Sequence, residues 1–267
     1  MKVIILSIGD ELLSGKTVNM NANYISLVLS DIGCEIVKQI TLADKENDIL
    51  DCLDDLFKIP VDLILCTGGL GPTSDDITLD VIFSFFKSKK VFDDKYWMKL
   101  MNKYSNVGIP ISKSNKKQAL VPDNGTTIPN PVGTARGFQF KKNKIIFIAM
   151  PGVPSEMKAM MKESILPMVK SKTVKHKHMV IIRTTGIAES TLYDLVNKNI
   201  DDSNINIGFY PSIYGVDIRL IGKNLKKLNI IKENMANVIG EYCYTLTENN
   251  LEDIVVKNLI KHQFTIA

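Results

Sequence analysis

Short apolar runs alternate with helically spaced ones through the first third of the chain. Val3–Ile8 is a short apolar run, the pattern of a strand covered on both faces. Asn21–Ile32 places Ile25, Val28, Leu29 and Ile32 at helical spacing and stops at Gly33, a residue type that ends helices. Ile36–Leu42 reads as a second strand. Asp44 is positioned to cap a helix running through Phe57, with Ile49, Leu50, Leu53 and Leu56 on one face, and Pro60 closes it. Val61–Cys66 is a third strand, and a further helix is predicted from about Thr73. The alternation predicts an α/β domain: a doubly wound, mostly parallel sheet with helices on both faces.

The middle is less regular. Asp93–Tyr104 and Lys113–Ala119 have helical character, Lys144–Ala149 is a strong strand, and Pro154–Val169 is a helix with Glu156 as a helix-start acid. The first domain is placed at 1–170, and Ser171–His178 reads as a polar, basic linker. Strand Met179–Thr185, helix Glu189–Asn197, strands Ile205–Tyr210 and Val216–Ile221, helix Leu225–Ile239 and strand Tyr242–Thr247 follow. That β-α-β-β-α-β order predicts a second, smaller split α/β domain over 171–250. The amphipathic stretch Leu251–Lys261 opens a tail over 251–267, expected to be loosely attached.

Composition narrows the function classes. The chain has 267 residues, 45% hydrophobic and 23% charged, ordinary values for a globular protein with room for two domains. A net charge of +4, spread over short lysine clusters, is too dispersed for a nucleic-acid footprint. Cys34, Cys52, Cys66 and Cys243 lie far apart with no C-x-x-C pair, which argues against structural zinc; three lie in apolar stretches and are expected to be buried. The N-terminal apolar run meets acids at once, so it reads as a strand and not a signal peptide, and no run approaches a membrane span. The expectation is a cytoplasmic protein with no membrane partner. His176, His178 and His262 sit in basic segments, and none is assigned a catalytic role.

Candidate chemistry gathers in loops at the carboxyl ends of predicted parallel strands, where open α/β sheets bind ligands. The loop TGGLGPTSDD carries Gly68, Gly69 and Gly71, which permit close backbone approach to a ligand. Thr73 is placed as an N-cap with Asp76 three residues on, and a helix N-terminus there would suit an anion. Asp75 and Asp76 would complement the helix dipole, but beside a phosphate oxygen at ~4 Å each would repel it by about 1–4 kcal/mol. A divalent ion, Mg²⁺ or similar, held by the carboxylates reverses that sign. Asp10 and Glu11 form a second acidic pair after the first strand. Asp10, Asp75 and Asp76 are the candidate metal ligands, and Asp75, Asp76 and Glu11 the candidate catalytic groups. A monovalent cation is a secondary candidate. Asn19 and Asn23 are read as substrate-binding or as plain capping residues. In NPVGTARGF, Thr134 could reach a phosphate or ribose hydroxyl and Arg136 could pair with a phosphate; a turn entering a strand explains the segment equally.

Taken together, SIGDELLSG with NMNAN, CTGGLGPTSDDIT, NPVGTARG and MPGVPSEM resemble the CinA family (competence/damage-inducible protein A), whose N-terminal domain is similar to molybdopterin-binding proteins of the MoaB/MogA type. RTTGIAES and GVDIRL resemble the family's small KH-like middle domain. The resemblance implies a doubly wound domain, a homodimer and a metal-dependent pyrophosphatase that cleaves ADP-ribose to AMP and ribose 5-phosphate. Asp10 and Glu11 fall in the family's GDE loop, Gly68 to Asp76 in its GGLGPTxDD loop and Thr134 in its GTA turn. Arg136 stands where the family usually has proline. The chain stops where the family's amidase domain would begin, so no nicotinamide-nucleotide amidase activity is expected. GIAES lacks the G-x-x-G loop of a working KH site, so nucleic acid is not an expected partner. Three readings stand: a nucleoside diphosphate sugar hydrolase, a molybdopterin-handling protein, and a non-catalytic nucleotide-binding module.

Overall fold

The computed structural model describes residues 1–172, 178–197 and 205–264. The chain divides into two compact units, Met1–Val174 and Lys175–Ala267.

The first unit is built on strands β1 (Lys2–Ile8), β2 (Glu35–Leu42), β3 (Leu63–Thr67), β4 (Lys90–Phe92), β5 (Leu120–Pro122), β6 (Thr126–Ile128), β7 (Gly137–Lys142) and β8 (Ile145–Met150). Six of them form one sheet in the order β2-β1-β3-β8-β7-β6, and β4 pairs with β5 in a separate ribbon. β2, β1, β3 and β8 are parallel, while β7 and β6 extend the sheet antiparallel. The apolar character of β1 from Val3 to Ile8, broken only by Ser7, has a direct cause: every residue of that stretch is buried. Ile4, Leu6 and Ile8 face a core shared with Ile49, Leu53, Leu79 and Phe83. Val3 and Ile5 face the opposite core, against Ile25, Leu29, Met157 and Met161. Each such side chain contributes about 1.5–3 kcal/mol on burial. The centre of the sheet is therefore covered on both sides, and the loops at its carboxyl end stand on a rigid base.

Several local expectations are corrected. The predicted helix Pro154–Val169 is helical at Pro154–Met160, widens into a π turn over Met161–Ile165 and resumes at Leu166–Lys170. Pro167 has no N–H to return to the preceding turn, and a π turn is one way a helix absorbs that loss. Asp44 does not cap the next helix, which runs Glu46–Leu56 with Lys45 at its N-cap. The helix after β3 begins at Thr78, not Thr73. Of the cysteines, Cys34 and Cys66 are buried, while Cys52 and Cys243 are half-buried.

The second unit contains β9 (His178–Thr184), β10 (Asn206–Ser212), β11 (Gly215–Gly222) and β12 (Cys243–Thr245), in the order β10-β11-β9-β12 with every pairing antiparallel. β11 alternates half-buried and buried residues, and Val216, Ile218 and Leu220 pack with Leu192, Val196 and Leu228 of the helices Glu189–Asn197 and Leu225–Ile239. The helix Leu251–His262 starts at an Asn250–Asp253 capping box and buries none of its residues. Residues 173–177 of the expected linker and 265–267 of the expected tail lie outside the described residues. Among the described residues, no helix is long and apolar enough to cross a membrane.

Candidate active site at the strand ends

The loops after β1, β3 and β8 meet around a cleft of about 800 Å³. β1 lies between β2 and β3, so the chain leaves it first to one side and then to the other. The cleft sits at that reversal, where the carboxyl ends of neighbouring strands diverge. Short backbone bonds fasten the loops to the sheet: Gly9 N–H donates to Leu42 O at 3.0 Å, and Gly68 N–H donates to Met150 O at 3.1 Å.

Glycine is required at two points of the cleft wall. Gly68 has φ of 111°, and a Cβ there would stand 2.0 Å from Ile8 O. Gly69 has φ of 62°, and a Cβ there would stand 2.0 Å from Thr78 Oγ1 and 3.3 Å from Asp44 Oδ1. Both are left-handed conformations that side chains resist.

The cleft brings together eight of the residues expected from sequence: Glu11, Asn19, Gly68, Gly69, Gly71, Asp75, Asp76 and Thr134. It does not gather Asp10, Asn23, Thr73 or Arg136. Asp10 turns sideways, and its Oδ1 accepts from Asp44 N–H at 3.2 Å while its own N–H donates to Asp44 Oδ2 at 3.2 Å. Asn23 is exposed on the helix Met20–Asp31. Thr73 closes a turn: its N–H donates to Asp76 Oδ2 at 2.9 Å, and its hydroxyl donates to the same oxygen. Half of a capping box is thus formed where no helix begins. Arg136 is buried, with Nη1 2.7 Å from Asp93 Oδ2 and its guanidinium carbon 3.7 Å over the Tyr96 ring. That engagement withdraws it from any phosphate in the cleft. Asn19 mostly serves its helix, accepting from Ala22 N–H at 3.0 Å.

Three cleft residues were missed or undervalued. Asp44 stands two residues past the end of β2 and lines the cleft; the strand-end rule that selected Asp10, two residues past β1, selects it too. Asn21 donates Nδ2 to Gly152 O at 2.7 Å, while its Oδ1 is buried with no partner. It lies within NMNAN, between the two asparagines singled out from sequence. Glu156 does more than start a helix: it lines the cleft and accepts from Asn130 Nδ2 at 2.6 Å.

The electrostatics of this lining are one-sided. Glu11, Asp44, Asp75, Asp76 and Glu156 line the cleft and, among the described residues, no Lys, Arg or His does, although Lys117 Nζ donates to the backbone oxygen of Asp76. Burial pushes the Asp44 carboxyl above its ordinary value; the Asp10 N–H partly opposes this, and the charges of Asp10, Glu11 and Asp76 add to it. Ionising Asp44 therefore costs stability, a cost that grows as pH rises from 3.8 through the raised native value and is complete at neutral pH. Asp44→Asn keeps the acceptor for Asp10 and removes the charge. Its melting temperature, measured with chelator at about pH 7, should exceed that of the unsubstituted protein, and the difference should vanish as pH falls toward 3.8. An unchanged or lowered melting temperature at neutral pH would rule out this repulsion.

Among the described residues, no group of three or more His, Cys, Asp or Glu is gathered closely enough to hold a metal ion. The donor set of the lining is nonetheless all oxygen, the chemistry that suits a hard divalent cation. Asn21 Oδ1, buried without a partner, adds one unspent polar atom to the lining, and Thr78 Oγ1, likewise unpartnered, lies buried against Gly69.

Residues 4–171 match the family described as "Probable molybdopterin binding domain", and residues 180–245 match the "Damage-inducible protein CinA KH domain". A competence-damage inducible protein of Clostridium botulinum (strain Okra / Type B1) is 34% identical over 274 aligned residues, which cover 100% of this chain and 67% of that protein. One from Caldanaerobacter subterraneus subsp. tengcongensis is 33% identical, covering 100% of this chain and 66% of that protein. The crystal structure of the protein CinA, of unknown function, from Thermoplasma acidophilum superposes with a TM-score of 0.56 at 29% identity, over 62% of this chain and 96% of that one. The chain thus spans about two thirds of the length of these curated relatives. With a molybdopterin-binding-type first unit, a CinA KH second unit and relatives aligned across its whole length, the chain belongs to the CinA family of competence-damage inducible proteins.

Proposed function

We propose that the cleft hydrolyses the diphosphate bridge of a nucleoside diphosphate sugar, ADP-ribose foremost, to give AMP and ribose 5-phosphate with the help of a divalent ion. The observation that carries this reading is a strand-end cleft lined by five carboxylates and, among the described residues, no cationic side chain. A diphosphate entering alone would meet repulsion of about 1–4 kcal/mol per charge pair at ~4 Å. A divalent cation held by the carboxylates would attract the diphosphate and so offset those repulsions.

Asp75 and Asp76 would hold the ion as a pair, its remaining positions being left to the substrate's phosphate oxygens and water, while Asp10 is engaged with Asp44. When bound, the ion supplies charge neutralisation and polarisation of a phosphoryl oxygen. Gly68 and Gly69 let the backbone close on the diphosphate without side-chain interference. Asn21 Oδ1 offers an acceptor to a ribose hydroxyl. Glu11 is exposed, and no hydrogen bond among the described residues claims its carboxylate, so it is free to take the proton of the attacking water. The water oxygen forms a bond to phosphorus, the bridging P–O bond breaks, and the leaving phosphate keeps the electron pair. The protein is read as a homodimer, which light scattering checks.

The match to a molybdopterin-binding family favours one second reading, that the cleft holds a pterin. A screen of purified protein against divalent ions, with ADP-ribose, other nucleoside diphosphate sugars and molybdopterin, separates the two. Metal-dependent appearance of AMP from ADP-ribose, abolished by chelation, is the expected result. Molybdopterin binding with no diphosphate turned over under any metal would replace the hydrolase reading with the pterin one.

A further inference from the structure

The wall of the acidic cleft has a second side. The helix Asp94–Asn106 presents Tyr96, Lys99, Leu100 and Lys103 at i, i+3, i+4 and i+7, so the four share one face. That face and the segment 127–136 enclose a cavity of about 540 Å³. Its charge is the reverse of the cleft's: Lys99, Lys103 and Arg136 line it and, among the described residues, no Asp or Glu does. Asp93 compensates Arg136 at 2.7 Å, which leaves Lys99 and Lys103 as exposed positive charges with no ion pair among the described residues. Lys103 Nζ has only two long contacts, 3.3 Å to Val132 O and 3.4 Å to Gly133 O. Arg136 Nε is buried and has no hydrogen-bond partner. Leu100, Pro129, Pro131 and the Tyr96 ring supply apolar wall between these donors.

We propose that this cavity binds a small organic phosphate of about mononucleotide size, at a site separate from the acidic cleft. The two lysines, four residues apart on one helix face, converge on the phosphate as mobile ammonium groups. The tyrosine, leucine and proline wall covers the organic part. Anionic ligands are steered to this side by charge, because the opposite side repels them.

The site is wired to the cleft through one turn. Asn130 Oδ1 accepts from Val132 N–H at 3.0 Å and Gly133 N–H at 2.8 Å, while its Nδ2 donates to Ala135 O at 2.8 Å and to Glu156 Oε2 at 2.6 Å. Thr134 and Glu156 line the cleft, while Asn130 and Gly133 line the cavity. A phosphate that draws Lys103 off the Val132 and Gly133 carbonyls loosens the turn that positions Thr134.

Calorimetric titration in the presence of EDTA tests the site without reference to turnover. AMP should bind the unsubstituted protein, roughly tenfold or more tighter than inorganic phosphate. Lys99→Gln with Lys103→Gln should weaken AMP roughly tenfold or more at an unchanged melting temperature, because both side chains are exposed. Asp75→Asn in the cleft should leave AMP affinity as it was. Equal affinity in the double lysine variant, loss of AMP binding on Asp75→Asn, or inorganic phosphate binding as tightly as AMP would each overturn the proposal.

Discussion

Asp75→Asn is expected to lower ADP-ribose turnover roughly a hundredfold while the melting temperature stays nearly unchanged. Asp75 is exposed in the cleft, and the one hydrogen bond to its carboxylate among the described residues is from the neighbouring Ser74 hydroxyl at 3.2 Å. Asparagine removes the charge that holds the ion and disturbs no structural partner. Asp76→Asn is a different experiment. Asp76 Oδ2 accepts both the Thr73 N–H and the Thr73 hydroxyl, so its neutralisation weakens the turn that shapes the glycine loop. That variant should lose comparable turnover and about 1 kcal/mol of stability besides. Turnover at saturating Mg²⁺ and urea unfolding, run side by side, separate the two effects. An Asp75→Asn protein that cleaves ADP-ribose at the full rate removes the basis of the metal assignment.

Gly68→Ala should be the most damaging single-methyl change in the first unit, at about 3 kcal/mol or more of folding stability. Two penalties coincide there. The residue sits at φ of 111°, which only glycine adopts without strain, and the new Cβ would lie 2.0 Å from the Ile8 carbonyl oxygen. Backbone cannot yield as a side-chain tip can. Ile8 ends β1 and Gly68 follows β3, so relief would require separating two directly paired parallel strands of the sheet. At Gly69 the obstacle is the Thr78 side chain at 2.0 Å, so Gly69→Val should cost both stability and ligand affinity, not affinity alone. Urea unfolding of Gly68→Ala and Gly15→Ala makes the comparison internal. Gly15 also has positive φ, 71°, but nothing lies within 4 Å of its would-be Cβ. Equal losses for the two would show that strain alone matters and that the Ile8 contact does not.

The parallel core of the fold was legible because its strands are buried on both faces and so spell themselves as short apolar runs. β7 was not: GFQFKK mixes glycine and lysines into its pattern, and the hairpin to β8 turns at Asn143 and Lys144 with φ of 54° and 75°. That turn lacks the glycine by which such hairpins are usually read. Thr73 misled for a local reason, since Thr-Ser-Asp-Asp is a helix-start signature and the chain uses it to close a turn five residues before the helix. In the site, glycines and acids were found because loop position and residue type agree. Asp44 was lost because the same residue type also caps helices, and sequence cannot say that its partner is Asp10, 34 positions away. Arg136 was misassigned for the converse reason: its partners, Asp93 and Tyr96, lie some forty residues upstream in a stretch with no visible link to it.

The cleft is made of two kinds of backbone, and they keep time differently. Its base is the amide ladder of β1, β3 and β8, where Val3, Ile4, Ile5, Leu6, Leu63, Ile64 and Leu65 have no exposed surface. Those protons should exchange with solvent only when the whole unit opens. Its rim, from Gly69 to Asp76, is held by few backbone bonds, such as Asp76 N–H to Thr73 O at 3.3 Å, and opens locally at far lower cost. A ligand that fills the cleft therefore slows exchange at the rim, whose local opening must release it, and slows the base by the same binding factor, because whole-unit opening releases it as well. Substitutions can accumulate at the rim, retuning what is bound, while the base that presents it stays fixed.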